Sequence, residues 1–270
     1  MIVLTACQQP TTYGPHVSKE ELAQEEAAHR DMAARAEIDR KHKSQLRLID
    51  MEERLNRVSR PIAEAGARLC VQIRPTGSQC VFDFMVEKDK NIDRTNENDR
   101  EVINAYADGE HIFVTPGMMR FIQNDEELAL VLSHELAHNV MGHVASKQIN
   151  MIAGSILGIA LDTVAASQGY NTQGGFTRLG GDVGAVSYST SFEKEADYVG
   201  LYIMSQSGYE VRQAENFWRR FSVLEPEAIQ GSITHPSNPE RFLAMKKTIN
   251  EIQYKRQHRV PLVPDFKVEN

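Results

Sequence analysis

Residues 124–138 constrain this chain more than any other stretch. Asn124-Asp-Glu-Glu127 offers a side-chain acceptor for a free helical amide and an acid three residues on, the signature of a helix start. Leu128, Val131 and Leu132 then give the helix an apolar face, and the pattern predicts that it runs to about residue 150. Within it stands Val131-Leu132-Ser133-His134-Glu135-Leu136-Ala137-His138. Side chains four apart share one face of a helix, so both imidazoles can reach a single metal ion. Glu135, one position on, sits beside a water on that metal without ligating it. Two nitrogen ligands and a carboxylate able to take a proton from that water are what a zinc-dependent peptidase requires.

A third ligand must come from elsewhere. The metzincin pattern needs a Gly three residues after the second His and another His three further on; here Gly142 and His143 stand four and five residues on, which excludes that class. The string Ser191-Phe-Glu193-Lys-Glu195-Ala-Asp197 offers carboxylates from a downstream helix. Glu193 and Asp197 fall on one helical face and Glu195 on another. Glu193 as ligand, with Asp197 orienting a ligating His, is physically sensible. Glu195 as the ligand is the local rival, and three surface acids are the plain alternative.

The rest of the chain reads as one substantial body with an appendage. Of its 270 residues, 41% are hydrophobic and 25% charged, a balance suited to a folded body in water. Thirty Lys and Arg against 37 Asp and Glu leave a net charge of −7, which excludes a nucleic-acid binder working by phosphate neutralisation. Residues 1–7 read as the remnant of a signal, 8–47 as a tether and helical arm, 48–252 as the body and 253–270 as an extended tail. The arm opens on Ser18-Lys-Glu-Glu21, a capping box, and meets no Pro or Gly until Pro61. Leu48, Met51, Leu55, Val58 and Ile62 form a stripe expected to pack on the body. Strands are expected at 81–86, 102–106 and 111–115, the last two joined as a hairpin at Asp108-Gly109. Strand 111–115 or its hairpin partner is expected to offer an open edge to an extended substrate. Further helices are expected at 191–207, at 211–224 and from Arg241. The fold class is therefore α+β and mostly helical, with a small sheet beside the metal helix and a long helical arm before it.

Residues 151–190 hold eight of the 17 glycines and only three charges, Asp162, Arg178 and Asp182. The nearly apolar run 151–166 is read as a buried or groove-lining helix, with membrane insertion as the alternative, and 169–184 as a flexible loop able to cover the cleft. The ending Leu4-Thr-Ala-Cys7 resembles a bacterial lipoprotein signal cut before a lipidated cysteine, although only Ile2 to Ala6 precede it. Setting Cys7 aside leaves Cys70 and Cys80 flanking the turn-like Pro75-Thr-Gly77. A disulfide there is plausible in an oxidising compartment, and two buried thiols are the alternative. Gln8 is not the Asp that commonly retains such lipoproteins at the inner membrane, so by resemblance the outer membrane is favoured.

Together, His134-Glu135-Leu-Ala-His138, Glu193-Lys-Glu-Ala-Asp197 and Thr234-His235-Pro236-Ser-Asn-Pro239-Glu-Arg241 resemble the CAAX-prenyl-endopeptidase/HtpX family of gluzincin metallopeptidases. Within it they are most similar to periplasmic BepA- and LoiP-like lipoprotein peptidases, over residues 48–250. The resemblance implies one zinc ion per chain on His134, His138 and Glu193, with Glu135 as general base. It places His235 close to the zinc, where it fills the open position or steadies the intermediate, and Arg241 as the residue that holds that turn. Thr190 departs from the Arg that relatives often carry, which puts any role of that Arg in doubt. The implied activity is a zinc metalloendopeptidase acting on unfolded or misfolded envelope proteins, anchored in the periplasm through Cys7. Residues 18–60 would meet envelope assembly partners. The competing readings are a latent protease serving mainly as a chaperone-like binding protein, and a cytoplasmic peptidase with no anchor.

Overall fold

In the computed structural model, residues 18–21, 48–87, 102–179, 189–222 and 239–266 are described. Cys7, the arm over 22–47 and the turn carrying His235 lie outside them. Helix α1 (Leu48–Ile73) follows from a stripe of period 3.6: Met51, Leu55, Val58, Ile62, Ala65, Leu69 and Cys70 are all buried. Leu48 is exposed, so the stripe begins one turn later than the sequence pattern indicates. The helix runs straight through Pro61, which forfeits one backbone hydrogen bond, because the residues beyond it bury on the body. Near its C-terminus Cys70 is disulfide-bonded to Cys80 across the turn at Pro75, where the Ser78 amide donates to the Pro75 carbonyl at 3.1 Å.

The chain then enters a three-stranded sheet. β1 (Asp83–Val86), β2 (Ala105–Ala107) and β3 (His111–Val114) are ordered β1-β3-β2, with β1 parallel and β2 antiparallel to β3. The expected open edge at 111–115 is therefore corrected: β3 is the central strand, and both of its sides are consumed by pairing. β2 is the outer strand on the side that packs against the metal helix. The strands are also shorter than the sequence suggests. Thr115 ends β3: its amide still donates to the Asn104 carbonyl at 3.0 Å, but its hydroxyl caps α2 (Pro116–Phe121) by accepting the Met118 amide at 3.2 Å, and it donates to the Val102 carbonyl at 2.6 Å.

α3 (Asp125–Met141) starts as expected: the Asn124 side chain accepts the Glu127 amide at 2.9 Å. Glu127 reaches back to the Gln123 amide at 2.6 Å and takes a bidentate pair from Arg220 at 2.9 and 2.6 Å. The helix stops nine residues early. Gly142 takes φ of 70°, a left-handed conformation that ends α3 and starts α4 (His143–Ser167) in a new direction. The burial expected for 151–166 is overturned as well, since only His143 and Gly158 of α4 are buried. α5 (Ser189–Gln206), a 3-10 turn at Val211–Gln213, α6 (Ala214–Ser222) and α7 (Pro239–Gln257) complete the order.

α3 packs against both α1 and α5, which also touch each other, and α7 packs against α5 and α6. The α3–α5 approach depends on Gly200, where a Cβ would come within 3.0–3.1 Å of Ser133 and His134 backbone atoms. Tyr198 and Tyr202 of α5 donate to Glu251 of α7, and Lys255 ties the tail by donating to the Val263 carbonyl and Asp265, each at 2.8 Å. The capping box of the arm is formed, and its Glu21 meets Lys247 of α7 at 3.1 Å. The architecture is a mostly helical α+β fold.

Candidate metal centre

α3 turns His134 and His138 toward α5, and α5 answers with Glu193 near its start. The two Nε2 atoms are 3.2 Å apart. Glu193 places Oε2 at 3.3 Å from His134 Nε2 and Oε1 at 3.2 Å from His138 Nε2. All three side chains are buried, and among the described residues no other group of His, Cys or acid donors converges in this way. The spacing is informative. A tetrahedral zinc ion with ligand bonds of about 2.0–2.1 Å holds its ligand atoms about 3.3 Å from one another.

Charge points the same way. Glu135, Glu193 and Asp197 are 1%, 2% and 5% exposed, and the one guanidinium buried among them is Arg241. With both imidazoles neutral, the form in which they ligate a metal, three carboxylates against one cation leave two negative charges, the deficit that a divalent metal closes. The imidazoles feel this field unequally. Burial works against a charged His134, but hydrogen bonds and attraction from Asp197 and Glu193 outweigh it and raise its pKa to about 10. At His138 burial prevails over the attraction of Glu193 and lowers the pKa to about 3.

A second layer of side chains fixes the ligands. His134 Nδ1 lies 3.0 Å from Asp197 Oδ1, which directs its other nitrogen to the centre. Arg241 donates from Nε to Asp197 Oδ2 at 2.7 Å and from Nη2 to Oδ1 at 2.8 Å, while Nη1 meets Glu193 Oε2 at 3.0 Å. One guanidinium thus holds both Glu193 and Asp197, and burial, which opposes its charge, is outweighed by these two carboxylates. The Trp218 ring covers Arg241 at 5.1 Å and meets His134 edge-on at 5.0 Å.

His143 is the residue that sequence reasoning missed. Its Nδ1 lies 3.0 Å from His138 Nδ1, its Nε2 lies 3.0 Å from Glu195 Oε2, and its ring stacks on Phe192 at 4.4 Å. Glu195, the rival third ligand, therefore belongs to this arm, behind His138. The backbone break at Gly142 is what swings His143 back onto the metal helix, and a Gly immediately before a His was the available signal. Asn139 is the other unforeseen contributor. Its Oδ1 accepts the Gly109 amide at 2.9 Å and its Nδ2 donates to the His111 carbonyl at 3.3 Å, locking the β2–β3 hairpin to the residue beside His138.

A sequence profile of peptidase family M48 matches residues 73–249. The chain belongs to this family. Over 156 residues it is 30% identical to the mitochondrial metalloendopeptidase OMA1 of Saccharomyces cerevisiae, an alignment that covers 53% of this chain and 43% of that protein. It is 27% identical over 164 residues to the beta-barrel assembly-enhancing protease of Yersinia pestis, and 25% identical over 164 residues to that of Escherichia coli. Both of these alignments cover 56% of this chain and 33% of the relative. The chain thus aligns to less than half the length of these relatives. The matched segment contains α3, α5 and every residue of the metal cluster.

Proposed function

We propose that this chain is a zinc-dependent metalloendopeptidase that cleaves unfolded or misfolded polypeptides of the bacterial envelope. The observation that carries the reading is the buried triangle of His134, His138 and Glu193, with Glu135 on the same helix and a charge deficit suited to a divalent ion. When bound, the metal supplies Lewis acidity, polarising the scissile carbonyl and making a water acidic near neutral pH. Glu135 accepts the proton of the attacking water and returns it to the leaving amine. Asp197 holds His134 in one tautomer, and Arg241 keeps Glu193 and Asp197 in place. The substrate is read as an added strand on the outer edge of β2, through backbone hydrogen bonds that favour extended, unfolded chain and weakly select side chains.

The Cys70–Cys80 disulfide supports an oxidising compartment, and with it a periplasmic protein lipidated on Cys7 at the outer membrane. Relatives named as beta-barrel assembly-enhancing proteases support an envelope setting, with residues 18–60 as the surface for assembly partners. His235 is proposed to stand near the metal as an oxyanion stabiliser or gate. The reading is tested with an unfolded casein-like substrate, zinc-loaded protein and its Glu135→Gln variant. Cleavage by the wild type alone supports it; equal cleavage by both, or by neither, refutes it.

A further inference from the structure

Helix α4 carries one charged side chain over residues 149–166, Asp162, yet of the whole helix only His143 and Gly158 are buried. Among the described residues it is the one helix long and apolar enough to cross a membrane. Its two sides differ. A returning segment closes on the side of Gly158 and Asp162, passing so near Gly158 that any side chain there would strike the Phe176 backbone. Asp162 Oδ1 accepts the Phe176 amide at 3.2 Å and the Thr172 hydroxyl, and Oδ2 accepts the Thr177 amide at 2.9 Å and the Thr177 hydroxyl at 2.6 Å. The lone carboxylate is thus saturated from within the hairpin. On the opposite side Ile149, Ile152, Ile156, Leu157, Leu161 and Val164 stand 55–69% exposed in two interleaved helical rows. That row is about 22 Å long at 1.5 Å per residue.

We propose that this face is a membrane-docking surface, on which α4 lies along the headgroup–acyl boundary of a phospholipid bilayer. The face also carries Asn150 and Thr163, whose hydroxyl donates to the Ile159 carbonyl at 2.8 Å, but it is otherwise aliphatic and holds no aromatic or Arg, unlike a protein interface, whose centre is enriched in both inside a polar rim. Acyl chains ask only for apolar area. The local charge agrees: over residues 143–179 the charged groups are Lys147, Arg178 and the saturated Asp162, so the hairpin is cationic on a chain of net −7 and complements anionic headgroups. Lying is favoured over crossing, because a crossing would carry Asp162 and the polar turn at Asn171, Thr172 and Gln173 through hydrocarbon. The surface is independent of acylation at Cys7 and of the peptidase reading. Since α4 joins α3 through Gly142 alone, docking would hold the metal helix beside the membrane.

The test uses the full chain with Cys7→Ser, loaded with zinc, and vesicles of equal parts phosphatidylcholine and phosphatidylglycerol. The protein is expected to co-sediment with the vesicles. The Ile152→Glu, Ile156→Glu double variant should bind at least about tenfold more weakly, with an unchanged circular dichroism spectrum and melting temperature. A bimane label on Leu157→Cys should shift to the blue when vesicles are added. Protein left in the supernatant, equal sedimentation of the double variant, or an unshifted label would overturn the proposal. So would a dimer that the double substitution dissolves without any vesicle binding, because the face would then belong to a second copy.

Discussion

Arg241→Leu is the substitution that probes the metal centre most directly from outside the ligands. Arg241 is 1% exposed and makes three short contacts with the acids of α5, at 2.7 and 2.8 Å to Asp197 and 3.0 Å to Glu193. A leucine fills much of the space beneath Trp218 and removes the charge, leaving Glu135, Glu193 and Asp197 buried without their guanidinium. Deleting one partner of a buried, hydrogen-bonded ion pair costs about 3–5 kcal/mol. At roughly 2–4 °C per kcal/mol for a body of this size, the melting temperature should fall by about 6–20 °C. The assay is thermal unfolding followed by circular dichroism in saturating zinc. Charge, rather than lost packing, is isolated by adding Asp197→Asn. That substitution alone should destabilise, yet the double variant should be more stable than Arg241→Leu, with a coupling of about 1–3 kcal/mol. A fall of less than about 3 °C, or strict additivity in the double variant, would refute the view that Arg241 balances buried carboxylates.

The other expectations concern the ligands, their supports, the disulfide and the hairpin. His134→Ala and Glu193→Gln should lose most bound zinc by elemental analysis, whereas Glu135→Gln keeps it and loses about 10²–10⁴-fold in turnover; zinc lost from all three would mean the ligand set is misassigned. His143→Ala should weaken zinc about 10–100-fold in competition with a chelator, while leaving α3 folded; unchanged affinity would reduce the His143–Glu195 arm to packing. Reducing Cys70–Cys80 should lower stability by about 2–3 kcal/mol for a loop of this length in denaturant titrations, and no change would show that the unfolded chain is not constrained by it. In the hairpin, hydrogen bonds from the His111 and Glu110 amides outweigh burial and lower the Asp108 pKa, and the same pair, led by the Asp108 hydrogen bond, raises that of His111. The raised His111 contributes fully below its unfolded value and fades as pH rises through its folded one; the lowered Asp108 fades as pH falls. Protection of the Glu110 and His111 amides should therefore be greatest in the mildly acidic window between, and flat protection across it would contradict the pairing.

The metal helix was legible because every level of its sequence agrees: a cap at Asn124, an apolar run, and two imidazoles at helical spacing. Glu193 and Asp197 were legible for the same reason, since a four-residue step puts both on one face while Glu195, two residues away, cannot share it. What the sequence hid is non-local. β3 became central because residues 83–86, from the far side of the disulfide turn, pair parallel to it, and no local pattern announces a parallel partner. His143 was hidden by a frame that assumed a continuous helix; once Gly142 turns left-handed, a residue five positions on returns to His138. The exposure of α4 was hidden because apolar composition ordinarily means burial. The cue was Asp162 followed at ten and fifteen residues by Thr172 and Thr177, which fold back to saturate it.

The last turn of α3 is where these elements are joined. His138 faces Glu193 in the candidate metal centre, Asn139 grips the hairpin through Gly109 and His111, Gly142 redirects the chain, and His143 returns to His138. The outer strand β2 is thereby fixed in height relative to the ligand nitrogens by contacts one residue from a ligand. If β2 receives the substrate as proposed, an added strand would inherit that register through the backbone alone, and the scissile bond would be positioned without side-chain pockets. Under that proposal, broad acceptance of unfolded chain and precise placement of one carbonyl would be compatible, because the hairpin would supply the first and Asn139 the second. The same turn makes α4 an extension of the catalytic helix, so a bilayer under α4 would present membrane-proximal chain to β2 in a restricted orientation. Selectivity in such an enzyme would come from where a chain unfolds more than from what it contains.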